Sequence, residues 1–391
     1  MRGGVLGGKT YRIGVLFSTS GPYDTISRSM LNGAQLALAE VNASEEYAFS
    51  LQPVISNPTG DLGLYARYAG EMLCSGIRHV IGGYTSSSRK EVIPLFEKHD
   101  ALLWYPSHYE GFESSPNVIY TGAAPNQHII PLIEYLIGNV GRRAFCVGSN
   151  YIWAWENNRI LREGLNAAGG SVLAERYLPI GETDHSGVIA AILRSRPDFV
   201  FNTLIGTSSY TFFRNLRTAC AAAGIDQVRD LPVASCSLSE PELIEIGPSA
   251  CDGHISSSVY FSTVRTPANR DFVEAYDRMF PSGPAASADA EASFLAVKFL
   301  ANSISAAGTD DINQIRNVLP SQKISAPQGA VSIDAETFHA HLTPRIGRST
   351  REGQFRIIFE AASPVRPDPY LIESTPRYAA HSGQPYLKVV K

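Results

Sequence analysis

No stretch of the 391-residue chain approaches the roughly 18 consecutive apolar residues of a membrane-spanning helix, so a soluble protein is expected. Positive charge is not in excess: 33 Lys plus Arg stand against 37 Asp plus Glu, a formal net charge of −4. Direct binding of RNA or DNA therefore has no basic footprint to rest on. Cysteine is scarce. The five residues, Cys74, Cys146, Cys220, Cys236 and Cys251, are scattered, odd in number and never spaced C-x-x-C. That pattern signals neither a metal knuckle nor a disulfide framework and leaves buried free thiols as the default. Between Met1 and Lys9 the only apolar pair is Val5-Leu6, too short for the h-region of a secretory signal. The expected location is cytoplasmic, or periplasmic if a leader has been removed.

Signatures of catalysis and of cofactors are missing too. A hydrolase needs a nucleophile held by a positioned base, yet no G-x-S-x-G occurs, and Gly206-Thr207-Ser208-Ser209 lacks the second glycine. Neither G-x-x-x-x-G-K-[ST] nor a G-x-G-x-x-G after a strand is present, so no nucleotide cofactor is indicated. His339-x-His341 has no further His, Cys or carboxylate at an accepted ligand spacing and reads as a solvated loop, not a metal site. No catalytic residue and no cofactor are expected.

What the chain does have is an ordinary globular composition, 44% hydrophobic and 18% charged, and length enough for two or three domains. Strand-length apolar runs alternate with helical periodicity. Tyr11–Phe17, Leu51–Ile55, His79–Ile81, Ala101–Trp104 and Asn117–Tyr120 read as strands, separated by helices over 26–41, 64–73 and 91–99. After the small-residue stretch Thr121–Asn126 the rhythm restarts, with helices at 129–137, 157–168, 188–194 and 210–223 and strands at 144–147, 172–177, 199–203 and 231–234. Such alternation predicts an α/β fold with parallel sheets covered on both faces. Beyond Gly253 the order changes: a strand at 255–261, helices at 269–280, 286–306 and 310–319, then strands at 330–333 and 355–359. The chain is expected to recross near Phe261 and Pro327, giving lobes of 10–124 plus 262–326 and of 125–261 plus 327–373, with 374–391 unassigned.

The stretch Arg78–Glu113 organises this reading. Loops at the carboxyl ends of parallel strands face the crevice where ligands bind, and here they are Gly83-Tyr84-Thr85-Ser86-Ser87-Ser88 and Tyr105-Pro106-Ser107-His108-Tyr109. Hydroxyls and rings dominate both, and no carboxylate precedes Glu110. Neutral hydrogen bonding beside aromatic faces is the chemistry offered, suited to a small uncharged polar ligand. Ser86–Ser88 are equally apt to cap a helix, and His108 either donates to a ligand or only rims the cleft. In the second half, Ser149–Trp155 follows a strand and concentrates aromatics, with Trp153 and Trp155 placed to close over a ligand. Leu204–Ser208, containing Thr207, and Ser235–Ser239, containing Ser237, are again neutral. Together these loops describe a two-walled cleft.

Longer runs carry a resemblance. GGYTSSSRKEVIPLFEKHDALLWYPSHYEGFESSPNVIY at Gly82–Tyr120, APNQ at Ala124–Gln127, GSNYIW at Gly148–Trp153, YFSTVRTPANRDFVEA at Tyr260–Ala275, ISAPQGAV at Ile324–Val331 and PVRPDPY at Pro364–Tyr370 resemble the aliphatic-amidase expression-regulating proteins. These are amide sensors of the amide and urea branch of type I periplasmic binding proteins. The resemblance spans about Arg12 to Tyr370. It implies two Rossmann-like lobes joined by three crossovers, with a short amide or urea-like ligand between them. Carried over to this chain, the contacts it implies are Tyr84 and Ser86, Tyr105 and Ser107, and Tyr151 from the opposite lobe. Ser107 stands where the sensors have threonine, His108 where they have proline and Trp153 where they have tyrosine; Leu238 falls in a loop where they have threonines. The function so implied is a ligand-responsive negative regulator of amidase expression, acting through an RNA-binding antiterminator partner. The alternative is the solute-binding receptor of an ABC importer for urea, short-chain amides or a related polar solute or amino acid. A homodimer is compatible with either.

Overall fold

The computed structural model describes residues 8–374; the unassigned tail, 374–391, lies outside them apart from its first residue. The chain opens with β1 (Lys9–Leu16), α1 (Asp24–Ala43), β2 (Phe49–Ser56), α2 (Leu62–Cys74), β3 (His79–Gly82), α3 (Ser86–Lys98), β4 (Leu102–Tyr105) and β5 (Val118–Tyr120). The five strands form one wholly parallel sheet in the order β2-β1-β3-β4-β5. Its central strands are the short apolar runs HVIG and LLWY, buried at every position, as a parallel sheet covered on both faces requires.

A second run follows: α4 (Pro125–Asn139), β6 (Arg143–Ser149), α5 (Ile152–Ala167), β7 (Ser171–Leu178), α6 (Ser186–Ser195), β8 (Phe199–Thr203), α7 (Gly206–Ala222), α8 (Gln227–Asp230), β9 (Val233–Ser235), α9 (Glu240–Ile246) and β10 (Ile255–Ser258). Next come α10 (Pro267–Met279), α11 (Ala288–Ala307) and α12 (Ile312–Val318), then β11 (Lys323–Ala326), β12 (Gly329–Ile333), β13 (Ala340–His341), β14 (Arg345–Ser349) and β15 (Phe355–Glu360). The second sheet runs β15-β14-β10-β9-β8-β6-β7. It is parallel from β7 to β10, and β14 and β15 are added antiparallel.

Helices α10 to α12 return to the first lobe, where α11 lies along α1. Gly33 makes that approach feasible, since a Cβ there would sit 2.0 Å from the Ala290 carbonyl oxygen. The Ser287 hydroxyl caps α11 by accepting from Ala290 N at 3.1 Å, one of the orphan donors of a helix start. The helix is apolar nearly all round and is buried on both sides, as expected of a core helix.

Several elements differ from the sequence-based expectation. The crossing expected at 326/327 falls in the turn between β11 and β12, which with β13 form a separate three-stranded sheet; the chain re-enters the second sheet at β14. The strand β14 was not expected because its sequence, RIGRS, reads as polar, yet Arg345 is buried. Its guanidinium donates to the Gln328 carbonyl at 2.8 Å and to Glu360 at 3.0 Å. Helices α3 and α5 begin at Ser86 and Ile152, five residues before the expected starts at 91 and 157. In α3 the periodic apolar residues begin late, at Val92, whereas the Thr85 cap starts the helix at Ser86.

Candidate functional site

The order of each sheet reverses once, between β1 and β3 in the first and between β6 and β8 in the second. Those are the points where a crevice opens at the carboxyl ends of the strands. From β3 the chain passes through Gly83, Tyr84 and Thr85 into α3; from β4 it passes through Pro106 to His108. From β6 it passes through Asn150 and Tyr151 into α5, and from β8 through Leu204 and Ile205 into α7. Tyr84, Ser86, Ser107, His108, Tyr151, Trp153 and Ile205 come together around a void of about 10 Å³, room for no more than about one water molecule.

The first-lobe wall stands on buried charge. The Ser86 hydroxyl donates to Glu110 Oε2. Arg89, fully buried, donates to Glu110 Oε1 at 2.9 Å and to Glu113 Oε1 at 2.7 Å. Its guanidinium lies 4.8 Å from the Tyr105 ring centroid and 4.7 Å from that of Tyr109, a cation held between two aromatic faces. Burial works against charge on Glu113, but Arg89 and Lys90 outweigh it and hold the carboxyl down to about 2. The expectation of purely neutral chemistry is thus corrected: the void is lined by hydroxyls and rings, and directly beneath them lies an ionic network. The spacing hid it, because Arg89 and Glu110 are 21 residues apart and meet only through the β3–α3–β4 fold.

The second-lobe wall is aromatic. Tyr151 and Trp153 stack with centroids 6.3 Å apart, and His108 meets Trp153 edge-on at 5.3 Å. The Trp153 indole Nε1–H is buried with no acceptor, as is the Tyr210 hydroxyl. On α9, burial pushes Glu242 up to about 8, against hydrogen bonds from Ser239. Behind His108 lies a second void of about 20 Å³, bordered among others by His128, Asp289 and Ser257. His108 Nδ1 is 3.5 Å from Asp289 Oδ1.

The other sequence-derived candidates fall elsewhere. Tyr105 lies beneath the void, with its hydroxyl committed to the Tyr84 carbonyl at 2.7 Å. Thr207 has an exposed side chain, and its backbone N donates across the cleft to the Pro22 carbonyl at 3.2 Å. Ser237, half-buried, shares its hydroxyl with Ser235 at 3.2 Å. Trp155 points outward, 44% exposed, and donates to Asn150. Thr85 is the cap of α3, accepting from Ser88 N at 3.1 Å, where Ser86–Ser88 were the candidates. His339 is buried and not in a solvated loop: it stacks on Tyr120 at 4.0 Å and meets the Tyr109 hydroxyl at 2.6 Å. Burial pushes it down to about 4. Ile205 was missed, an apolar residue giving no sequence signal. Larger grooves, of about 480 and 510 Å³, run along Ser262–Glu274 and beside Glu360. Their linings include exposed side chains such as Arg265 and lack the buried polar convergence expected of a specific site.

The lobes are in contact. Besides the Thr207–Pro22 bond, Thr25 Oγ1 donates to Glu245 Oε1 at 3.2 Å. A Cβ at Gly206 would lie 1.9 Å from the Pro22 oxygen. Two α/β lobes closed on a buried cleft at paired switch points define a bilobed ligand-binding protein. Residues 11–376 match the periplasmic binding protein domain family, and the chain belongs to that family.

Among solved structures it is similar to a solute-binding protein of an ABC transporter from Rhodopseudomonas palustris in complex with p-hydroxybenzoic acid. That match has a TM-score of 0.83 at 18% identity and covers 94% of this chain and 100% of that one. It is similar also to a branched-chain amino acid transporter substrate-binding protein from Streptococcus pneumoniae in complex with isoleucine, with a TM-score of 0.77 at 18% identity, covering 92% and 100%. These likenesses establish the fold. A limonene hydroxylase of Geobacillus stearothermophilus is 25% identical over 126 residues, 32% of this chain and only 23% of that protein's length. The family and these solved relatives are binding proteins. No helix among the described residues is long and apolar enough to cross a membrane.

Proposed function

We propose that the chain is a solute-binding receptor serving an ABC importer, and that it closes over a small uncharged amide or urea-like molecule. The observation that carries the ligand class is the lining of the void, Tyr84, Ser86, Ser107, His108, Tyr151, Trp153 and Ile205; at about 10 Å³ the void itself holds about one water, so the lobes part to admit such a molecule. Hydroxyls accept from an NH2 group and donate to a carbonyl, while the rings bound a short alkyl end. The guanidinium nearest the void, Arg89, is taken up by Glu110 and Glu113 and is not free to pair with the carboxylate of an amino acid. The importer role is supported by the roles that the names of the solved relatives give. It calls for a location outside the cytoplasmic membrane.

A second reading, an amide-responsive negative regulator that releases an antiterminator, is favoured by the motif runs from Gly82 to Tyr120 and from Tyr260 to Ala275. In either role, only a difference in ligand affinity between open and closed lobes shifts the equilibrium. A thermal-shift panel of acetamide, butyramide, formamide, urea, leucine and valine tests the ligand class, since a ligand bound to the folded state raises apparent stability. Stabilisation by the amides or urea is expected; stabilisation by leucine or valine alone overturns it. Fractionation of native cells separates the two roles, a cytoplasmic pool being incompatible with the receptor.

A further inference from the structure

A serine hydroxyl has one proton to give and two lone pairs with which to accept. At Ser86 two of these three are already used. Its proton goes to Glu110 Oε2, and Arg89 Nη1, which can only donate, points at its oxygen from 3.5 Å. Glu110 is in turn gripped by Arg89 Nη2 at 2.9 Å and faces Lys90 Nζ at 3.6 Å, so it accepts and does not donate. What Ser86 has left for the cleft is a lone pair. On the facing wall Trp153 carries a buried indole N–H with no acceptor. The two walls therefore ask for opposite things, a donor at Ser86 and an acceptor at Trp153.

We infer that Glu110 is a positioning residue that fixes Ser86 as an acceptor, so that the cleft takes a ligand with an N–H at that end and a carbonyl at the other. A primary amide or urea meets both demands. The isosteric ketone lacks the donor, and the isosteric carboxylate lacks it while adding a charge that faces Glu110. The inference rests on the reading of this void as the ligand site and deepens it, since it makes hydrogen-bond polarity rather than size the basis of selection.

Titration calorimetry of the full chain with acetamide, acetone and acetate, and with their one-carbon-longer homologues, tests it. In the wild type, acetone and acetate are expected to bind at least ~100-fold more weakly than acetamide, because a site built to accept from an N–H rejects analogues without one. In Glu110→Gln the new amide can donate to Ser86 and free its proton to turn toward the cleft. The acetamide-to-acetone ratio is then expected to shrink about tenfold or more, a change that a merely structural role for Glu110 would not produce. Should the variant not fold, the wild-type trio still decides. Acetone or acetate binding as tightly as acetamide in the wild type, or an unchanged ratio in a folded Glu110→Gln, overturns the inference and leaves the cleft standing as the site. Silence from all six compounds takes down both.

Discussion

On the first lobe, Ser86 is held by Glu110, Glu110 by Arg89, and Arg89 by two tyrosine rings and Glu113. On the second, Tyr151 and Trp153 lean together with Trp153's indole N–H unpaired; elsewhere in that lobe the Tyr210 hydroxyl is unpaired too, and burial pushes Glu242 toward its neutral form. The Ser86 end of one wall is held in place before any ligand arrives, whereas the other wall has polar atoms still to pair. A preformed wall sets which groups are read at little ordering cost, and an unsatisfied wall gains most when the lobes close on a ligand that completes it.

The first way to break this contrast is to remove the cation beneath the satisfied wall. Arg89→Met leaves the buried Glu110 and Glu113 with Lys90 as their remaining cation and is expected to destabilise the fold by about 3 kcal/mol in chemical denaturation; a loss below ~1 kcal/mol would mean the network is ornamental. Closure is tested at Gly206, where any side chain meets the Pro22 oxygen. Gly206→Val is expected to weaken ligand binding about 100-fold or more by calorimetry, because the closed state is lost, and to lower the melting temperature as well, because Gly206 has φ +59°, which a β-branched residue adopts only under strain. Within the walls, Ser86→Ala and Tyr151→Phe are each expected to cost roughly 0.5–1.5 kcal/mol of binding, one net hydrogen bond. The Ser86 change should be the larger, since its geometry is fixed in advance.

Acidity separates the walls more gently. Burial holds Glu242 up to about 8 and Glu240 up to about 7, above the ordinary 4.5. These groups favour the folded chain below that ordinary value, and the contribution is lost as pH rises through 7 to 8. Burial holds His128 down to about 3 and His79 and His339 down to about 4, below the ordinary 6.5. Their contribution is present above 6.5 and is lost as pH falls toward 4. The melting temperature should decline on both sides of this window, and Glu242→Gln should flatten the alkaline limb alone.

Much of this was legible in the sequence, and what was missed has a common cause. The strands β3 (HVIG) and β4 (LLWY), the alternation with helices and the hydroxyl-rich loops at Tyr84–Ser88 and Tyr105–Ser107 are local patterns, and local patterns read directly. The partners of Arg89 are not local: they lie 21 and 24 residues away, and only the fold brings them under Ser86. His339 is 230 residues from the Tyr109 hydroxyl it meets, so its spacing to His341 misled. Thr207 and Ser237 follow the right strands, but from α7 and the β9 end their side chains turn away from the void, and the apolar Ile205 takes the place beside Tyr151.

The account is tested most directly by a high-resolution crystal structure of the chain grown with acetamide. The predicted result is one amide between the walls, with the lobes parted just enough to admit it, its NH2 against Ser86 Oγ and its carbonyl toward Trp153. Density outside the cleft, or a carbonyl oxygen facing Ser86, would contradict it.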